Sequence, residues 1–81
     1  MRSASLKALR SRTHRTVCAV LVEARKGSGL SQHELARRLR RSQSFVAKIE
    51  VGERRIDVVE FIEIARALGC DPRELLERAL K

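Results

Sequence analysis

The stretch SQHELARRLRRSQSFVAKIE, residues 31–50, contains two short helical patterns separated by a basic turn. Ser31 and Glu34 have the spacing of a capping box at the start of the first pattern. Ser42 is a favourable N-cap for the second pattern. The apolar residues of that second pattern share one helical face: Phe45, Val46 and Ile49. Helices this short are marginal on their own, so we predict that tertiary packing holds both of them.

A longer helical pattern precedes this pair. Apolar residues recur at helical spacing over residues 17–24, with Leu9 and Thr13 as an upstream extension. Glycines in the loop 27–29 mark its end.

Two further helices are predicted after the pair. Asp57 and Glu60 have capping-box spacing at the start of the fourth helix. Asp71, Pro72 and Glu74 supply an N-cap, a first-turn proline and a third capping box for the fifth helix. There is no strand signal and no internal repeat. The sequence therefore predicts an all-α fold, a compact bundle of five helices.

Charge is unevenly distributed along the 81 residues, which carry a net charge of +8. Residues 1–56 hold 14 Lys and Arg against 4 Asp and Glu, whereas residues 57–81 hold 4 against 6. This imbalance is typical of a protein that meets a polyanion at one end. We expect residues 1–8 to be a basic arm and residues 9–81 to form one domain.

Several classes of protein are disfavoured by the sequence. The longest apolar run, VCAVLV at residues 17–22, is too short to span a bilayer, and no signal peptide is evident. Cys18 and Cys70 lack zinc-site spacing, so we expect reduced thiols in the cytoplasm, no metal and no cofactor. His14 and His33 have no partner in their sequence neighbourhoods. No nucleophile–base arrangement is present, so we do not expect an enzyme.

Three segments in order, GLSQHELARRL, RSQSFVAKIEVGERR and ARALG followed by DPRELL, resemble the lambda-repressor-like helix-turn-helix family. This family is also called the Cro-repressor or xenobiotic-response-element family. The resemblance covers about residues 17–78. It implies a five-helix domain, usually dimeric, that binds an operator with two half-sites.

The resemblance also implies which residues meet DNA. Gln43, Ser44 and Lys48 match family positions that reach base edges, and Ala47 lies on the same outward face. Four residues of the third helix are therefore expected to read bases: Gln43, Ser44, Ala47 and Lys48.

Phosphate contacts are expected around the starts of the second and third helices and in the loop that follows. Gln32, Arg54 and Arg55 match phosphate-contacting positions of the family, and helix N-termini favour anions. Arg41 and Ser42 lie beside the N-terminus of the third helix. Arg37 and Arg38 are either part of a solvated face or additional DNA contacts.

Two structural sets complete the prediction. Arg25 and Glu50 match a family pair that joins the first helix to the third, and we interpret it as an ion pair that stabilises the fold. The last helix carries more apolar residues than a chain of this size easily buries. We therefore expect four of its residues, assisted by the end of the fourth helix, to form a homodimer contact: Leu75, Leu76, Ala79 and Leu80.

The turn at Arg40 and Arg41 departs from the family pattern, which usually has glycine and then an apolar residue there. Either Arg40 adopts the left-handed conformation, at a cost of about 1–2 kcal/mol, or the turn has another shape. Phe45 beyond it either packs in the core or touches DNA with its edge.

Two classes of function remain. The first is a sequence-specific regulator of double-stranded DNA, a dimeric repressor or autoregulator on a palindromic operator whose half-sites are about 34–36 Å apart. Antitoxins and restriction-modification controllers share this fold, so a toxin partner stays open. The second is a protein-binding adaptor that does not read DNA.

Overall fold

The computed structural model describes residues 11–81, so the expected basic arm at residues 1–8 and Leu9 lie outside the described residues. Five helices follow in order: α1 (Arg12–Gly27), α2 (Gln32–Leu39), α3 (Gln43–Glu50), α4 (Val58–Ala67) and α5 (Pro72–Leu80). No strand occurs between residues 11 and 81, and the all-α, five-helix prediction is confirmed. None of the helices described is long and apolar enough to cross a membrane.

Capping boxes begin α2 and α4, as the sequence predicts. The Glu34 backbone N–H donates to Ser31 Oγ at 3.0 Å, and the Ser31 N–H donates to Glu34 Oε1 at 2.8 Å. This second bond, which favours the charged form, holds the pKa of Glu34 below its usual range. Asp57 and Glu60 make the same reciprocal pair of bonds at the start of α4. Each box satisfies two backbone donors that a helix start otherwise leaves open.

Asp71 is the N-cap of α5 and Pro72 lies in its first turn, as predicted, but the predicted third capping box is absent. Asp71 accepts a hydrogen bond from the Arg73 N–H at 2.9 Å and makes no capping box with Glu74. The reason is local geometry, because ψ is 119° at Asp71 but 153–171° at the other N-caps. Helix α1 begins at Arg12 because Ser11 accepts from the His14 N–H at 3.0 Å. Since no acidic residue follows Ser11 at N3, this cap lacks a sequence signature.

The turn between α2 and α3 is built on Arg40. With φ 58° and ψ 40°, it is the one non-glycine residue with positive φ among residues 11–81. The Arg41 N–H donates to Ala36 O at 3.0 Å and the Arg40 N–H to Arg37 O at 3.1 Å, the bonds of a Schellman motif. The chain therefore makes a glycine-type turn with arginine, the first of the two alternatives considered above.

All five helices contribute to one apolar core. Helix α2 packs on α3 and α4, α1 packs on α3 and α5, and α4 packs on α5. Phe45 is 8% exposed and belongs to this core, which confirms the core interpretation. Leu75 has no exposed surface. This corrects its assignment to a homodimer contact, because a fully buried side chain cannot contact a second copy.

Candidate nucleic-acid interface

Helix α3 presents a polar face opposite its apolar face. Gln43, Ser44 and Lys48 are exposed and Ala47 is partly exposed, while the apolar side chains of this helix are buried. Because a helix turns by about 100° per residue, these two sets must diverge around the axis. The four side chains expected to read bases thus lie together on a solvent-facing surface.

A chain of hydrogen bonds orients Gln43 on that surface. Gln43 Nε2 donates to Gln32 Oε1 at 2.9 Å, and Gln32 Nε2 donates to Glu50 Oε1 at 2.8 Å. A glutamine amide has two N–H donors and one carbonyl acceptor. Gln43 therefore retains one N–H donor, which suits adenine N7, and its carbonyl oxygen, which can accept from adenine N6–H in the major groove. The pairing of Gln32 with Gln43 was not evident from the sequence, because they belong to different helices.

Glu50 also holds α3 to α1. Arg25 Nε donates to Glu50 Oε2 at 2.6 Å and Arg25 Nη2 donates to Glu50 Oε1 at 3.0 Å. The two side chains are only 11% and 7% exposed. The hydrogen bonds to Glu50 raise the pKa of Arg25. The structure thus brings together the two residues that the family resemblance pairs, in a partly buried, bidentate geometry.

A second carboxylate lies near the other end of α3. Arg54 Nη1 and Nη2 donate to Glu60 Oε1 and Oε2 at 2.8 and 2.9 Å, and Arg41 Nη1 lies 4.0 Å from Glu60 Oε2. The guanidinium carbons of Arg41 and Arg54 lie 3.8 and 4.8 Å from the centroid of the Phe45 ring. Hydrogen bonds from Arg54 hold the pKa of Glu60 below its usual range and raise the pKa of Arg54.

We call Arg41, Phe45, Arg54 and Glu60 the Glu60 cluster. It explains why an arginine can stand where the family usually has an apolar residue, since the guanidinium of Arg41 covers the Phe45 ring. The sequence gives no sign of this cluster, because its members come from the turn, α3, the following loop and α4.

The other basic and polar candidates have distinct surroundings. Arg55 is exposed in the loop before α4. Ser42 Oγ accepts from the Phe45 N–H at 3.2 Å, so Ser42 caps α3. Arg38 Nη1 donates to Ala67 O at 2.9 Å and thereby satisfies a carbonyl at the C-terminus of α4. Arg37 is exposed on α2.

His14 is not isolated, contrary to the expectation from its sequence neighbourhood. Its Nε2 lies 3.2 Å from Gly52 O and 3.7 Å from Cys18 Sγ. This contact joins α1 to the loop after α3, across 38 positions of sequence. Burial raises the pKa of the Cys18 thiol, which leaves it in the neutral form.

An exposed apolar surface runs along α4 and α5. Val58 and Val59 at the start of α4 are 73% and 62% exposed, and Leu76 and Leu80 on α5 are 48% and 75% exposed. A groove of about 450 Å³ beside Val58 and Leu76 also reaches α1 and the loop before α4. The large exposed apolar residues of α4 lie at its start, whereas the sequence analysis expected its end to assist a dimer contact. Ala79 packs partly buried against the core.

Comparisons with known proteins place this geometry in a family. The helix-turn-helix family model HTH_3 matches residues 21–75. The solved structure of an XRE-family like protein from Pseudomonas syringae pv. tomato str. DC3000 is 42% identical, with a TM-score of 0.83, and the match covers 96% of this chain and 95% of that one. No curated protein sequence matches the chain.

A crystal structure of the clp gene regulator ClgR from Corynebacterium glutamicum has the same fold, with a TM-score of 0.80 and 23% identity. That match covers 86% of this chain and 91% of the ClgR chain. The family model and the 42% identical relative carry the assignment, since they cover most of the chain. The chain therefore belongs to the XRE-type helix-turn-helix family.

Proposed function

We propose that this protein is a sequence-specific repressor or autoregulator that binds double-stranded DNA in the cytoplasm as a homodimer. The observation that carries the proposal is the solvent-facing polar surface of α3, on which Gln32 orients Gln43 at 2.9 Å. Gln43 suits adenine and Lys48 suits guanine, while Ala47 offers a methyl group to thymine. Ser44 accepts or donates a single hydrogen bond.

Phosphate contacts in this proposal flank α3. Arg55 is exposed, and Arg41 and Arg54 keep 44% and 37% of their side chains exposed within the Glu60 cluster. Ser42 uses its oxygen as the α3 cap and still has a hydroxyl hydrogen to donate. Gln32 lies in the first turn of α2, where backbone N–H groups can donate to a phosphate. These contacts supply affinity, whereas the base contacts supply sequence choice.

The exposed apolar residues of α4 and α5 support a homodimer. Apolar surface of this kind is commonly covered by a partner, and a two-fold contact uses the same patch on both copies. We propose that Leu76 and Leu80 form its centre and that Val58 and Val59 extend it. Ala79 lies beside Leu76 and Leu80 on α5, and its partly buried side chain adds to the contact on the side of the core.

Selection of bound duplexes from a random-sequence pool tests the proposal directly. We expect the recovered sequences to share a palindrome with half-sites about one helical turn apart. In the Gln43→Ala/Lys48→Ala variant, preference for that sequence over a scrambled duplex should fall by at least about tenfold, since each base pairing contributes about 1–3 kcal/mol.

Lys26→Ala is the matched control, because Lys26 is an exposed lysine at the end of α1. It removes the same charge without touching α3, and its preference should equal that of the wild type. A protein-binding adaptor would recover no shared sequence. A shared sequence whose preference survives the double substitution would contradict the role assigned to α3.

A further inference from the structure

The Glu60 cluster brings a carboxylate into a surface proposed to meet DNA phosphates. A carboxylate repels phosphate, so its presence there is unfavourable unless it contributes something else. Glu60 is only 13% exposed, whereas Arg41 and Arg54 are 44% and 37% exposed. An approaching phosphate therefore meets the arginines before it meets the carboxylate.

The hydrogen bonds define how Arg54 is held. The two terminal nitrogens of the guanidinium, Nη1 and Nη2, donate to the Glu60 carboxylate at 2.8 and 2.9 Å. Nη1 also donates to Arg55 O at 2.9 Å. A guanidinium has five N–H donors in a rigid fork. Arg54 thus retains Nε–H and the second Nη2–H, for which no acceptor occurs among residues 11–81. These two donors lie along one edge and suit the oxygens of a phosphate.

Glu60 is itself firmly positioned. Its Oε1 accepts the Asp57 N–H at 3.1 Å, and its own N–H donates to Asp57 Oδ1 at 2.7 Å. The carboxylate is thereby anchored to the first turn of α4, which packs on α2. The Phe45 ring supports both guanidinium groups from the first turn of α3. Arg41 and Arg54 are consequently aligned relative to α3 before any DNA arrives.

We infer that Glu60 is a positioning residue for DNA binding, which holds Arg54 and Arg41 beside the N-terminus of α3 so that they meet the phosphates flanking the recognised bases. This inference rests on the proposed DNA-binding function. Prior alignment of long side chains lowers the conformational entropy lost on binding, and that gain outweighs the repulsion of one shielded carboxylate. The depressed pKa of Glu60 keeps the carboxylate ionised at neutral pH.

The substitution Glu60→Gln separates positioning from simple charge. Glutamine preserves the capping contact with Asp57, because Gln also serves at this position of a capping box. It removes the anion that holds the arginines. If Glu60 only repelled DNA, its loss would tighten binding to every duplex. If it positions arginines, affinity for the selected duplex should fall about tenfold, the loss expected when one charge-assisted contact is disordered.

Glu63→Gln is the matched control. Glu63 is exposed on the same helix, and its side chain has no hydrogen bond or ion pair among the described residues. Both variants lose one negative charge, so a weaker affinity of Glu60→Gln relative to Glu63→Gln reports the loss of the positioned arginines and not the change in net charge. Both should also show the same circular-dichroism melting within a few degrees, measured at the salt concentration of the binding assay.

A double-mutant cycle with Arg54→Gln tests whether Glu60 acts through the arginine. In the Arg54→Gln background, Glu60→Gln should lower affinity for the selected duplex by clearly less than the roughly tenfold loss expected in the wild-type background, since coupled residues are not additive and only the contact with Arg41 is left to lose. A loss as large as in the wild-type background would overturn the inference. So would Glu60→Gln binding the selected duplex as tightly as Glu63→Gln does. Either result would leave the proposed function intact. The proposed function fails only if the wild type shows no preference for the selected duplex, and the inference would then fail with it.

Discussion

Two carboxylates hold the two ends of α3, and they differ in burial. Glu50, at the C-terminal end, pairs with Arg25, and the side chains of both residues are about nine-tenths buried. Glu60, near the N-terminal end, pairs with Arg54, whose side chain is 37% exposed. Both pairs are bidentate, with N–O distances of 2.6–3.0 Å. Both are arginine–glutamate ion pairs, and they differ in how far water reaches them.

The difference in solvent access gives the two ion pairs different roles. Water screens an exposed pair, so it adds little to stability, whereas a buried partner left alone is costly. Arg25 donates three hydrogen bonds inside the protein, two to Glu50 and one to Leu30 O at 2.8 Å. Arg54 also donates three hydrogen bonds inside the protein, yet its side chain stays 37% exposed. Glu50 therefore stabilises the fold, whereas in the proposed complex Glu60 aligns the guanidinium groups of Arg41 and Arg54 for DNA phosphates.

The largest effect is expected from Arg25→Ala. The Glu50 side chain is 7% exposed in the wild type, and removing the guanidinium leaves its carboxylate with Gln32 as the remaining side-chain hydrogen-bond donor. The free energy of unfolding should fall by about 3–5 kcal/mol, the range for breaking a buried ion pair. Urea denaturation at pH 7 measures it. Glu60→Gln is the comparison and should lose less than about 1 kcal/mol. Equal losses in the two variants would show that burial does not distinguish these pairs.

An intermediate effect of opposite sign is expected at Arg40, in the turn that leads into the Glu60 cluster. Arg40→Gly removes the side chain from a left-handed residue, so the free energy of unfolding should rise by about 1 kcal/mol. Arg37→Gly, the same exchange inside α2, should lower it by about 1 kcal/mol. Thermal melts of both variants at matched salt provide the measurement. A loss in both would mean that Arg40 makes a stabilising contact that offsets its strain.

Local signals in the sequence were sufficient for much of the fold. Ser31 with Glu34, and Asp57 with Glu60, indicated where helices begin, because each capping box depends on residues three positions apart. The glycine-like turn at Arg40 was one of two alternatives that the sequence allowed, and only the backbone conformation decided between them.

Contacts between distant segments were beyond sequence reasoning. Arg54 and Glu60 belong to a loop and a helix, and nothing in their spacing distinguishes an ion pair from two solvated charges. The bond from Gln43 to Gln32 depends on how α2 and α3 are packed. The burial of Leu75 likewise depends on which face of α5 meets α1 and α4. These features follow from tertiary packing, whose geometry no local pattern records.

The smallest expected effect is the pH dependence of the Glu60 cluster. Hydrogen bonds from Arg54 depress the pKa of Glu60 in the folded protein, whereas in the unfolded chain it returns to about 4.3. A depressed folded pKa contributes stability that is fully present above the unfolded value and is lost as pH falls through the folded value. The stability difference between wild type and Glu60→Gln, below about 1 kcal/mol at pH 7, should therefore shrink as pH falls below about 4.3. Urea denaturation of both proteins at pH 7, 5 and 3 measures it. Since glutamine keeps the capping contact, a difference that stays constant across that range would mean that the ionised Glu60 side chain does not contribute to stability, and that its charge serves only the alignment of the arginines for DNA.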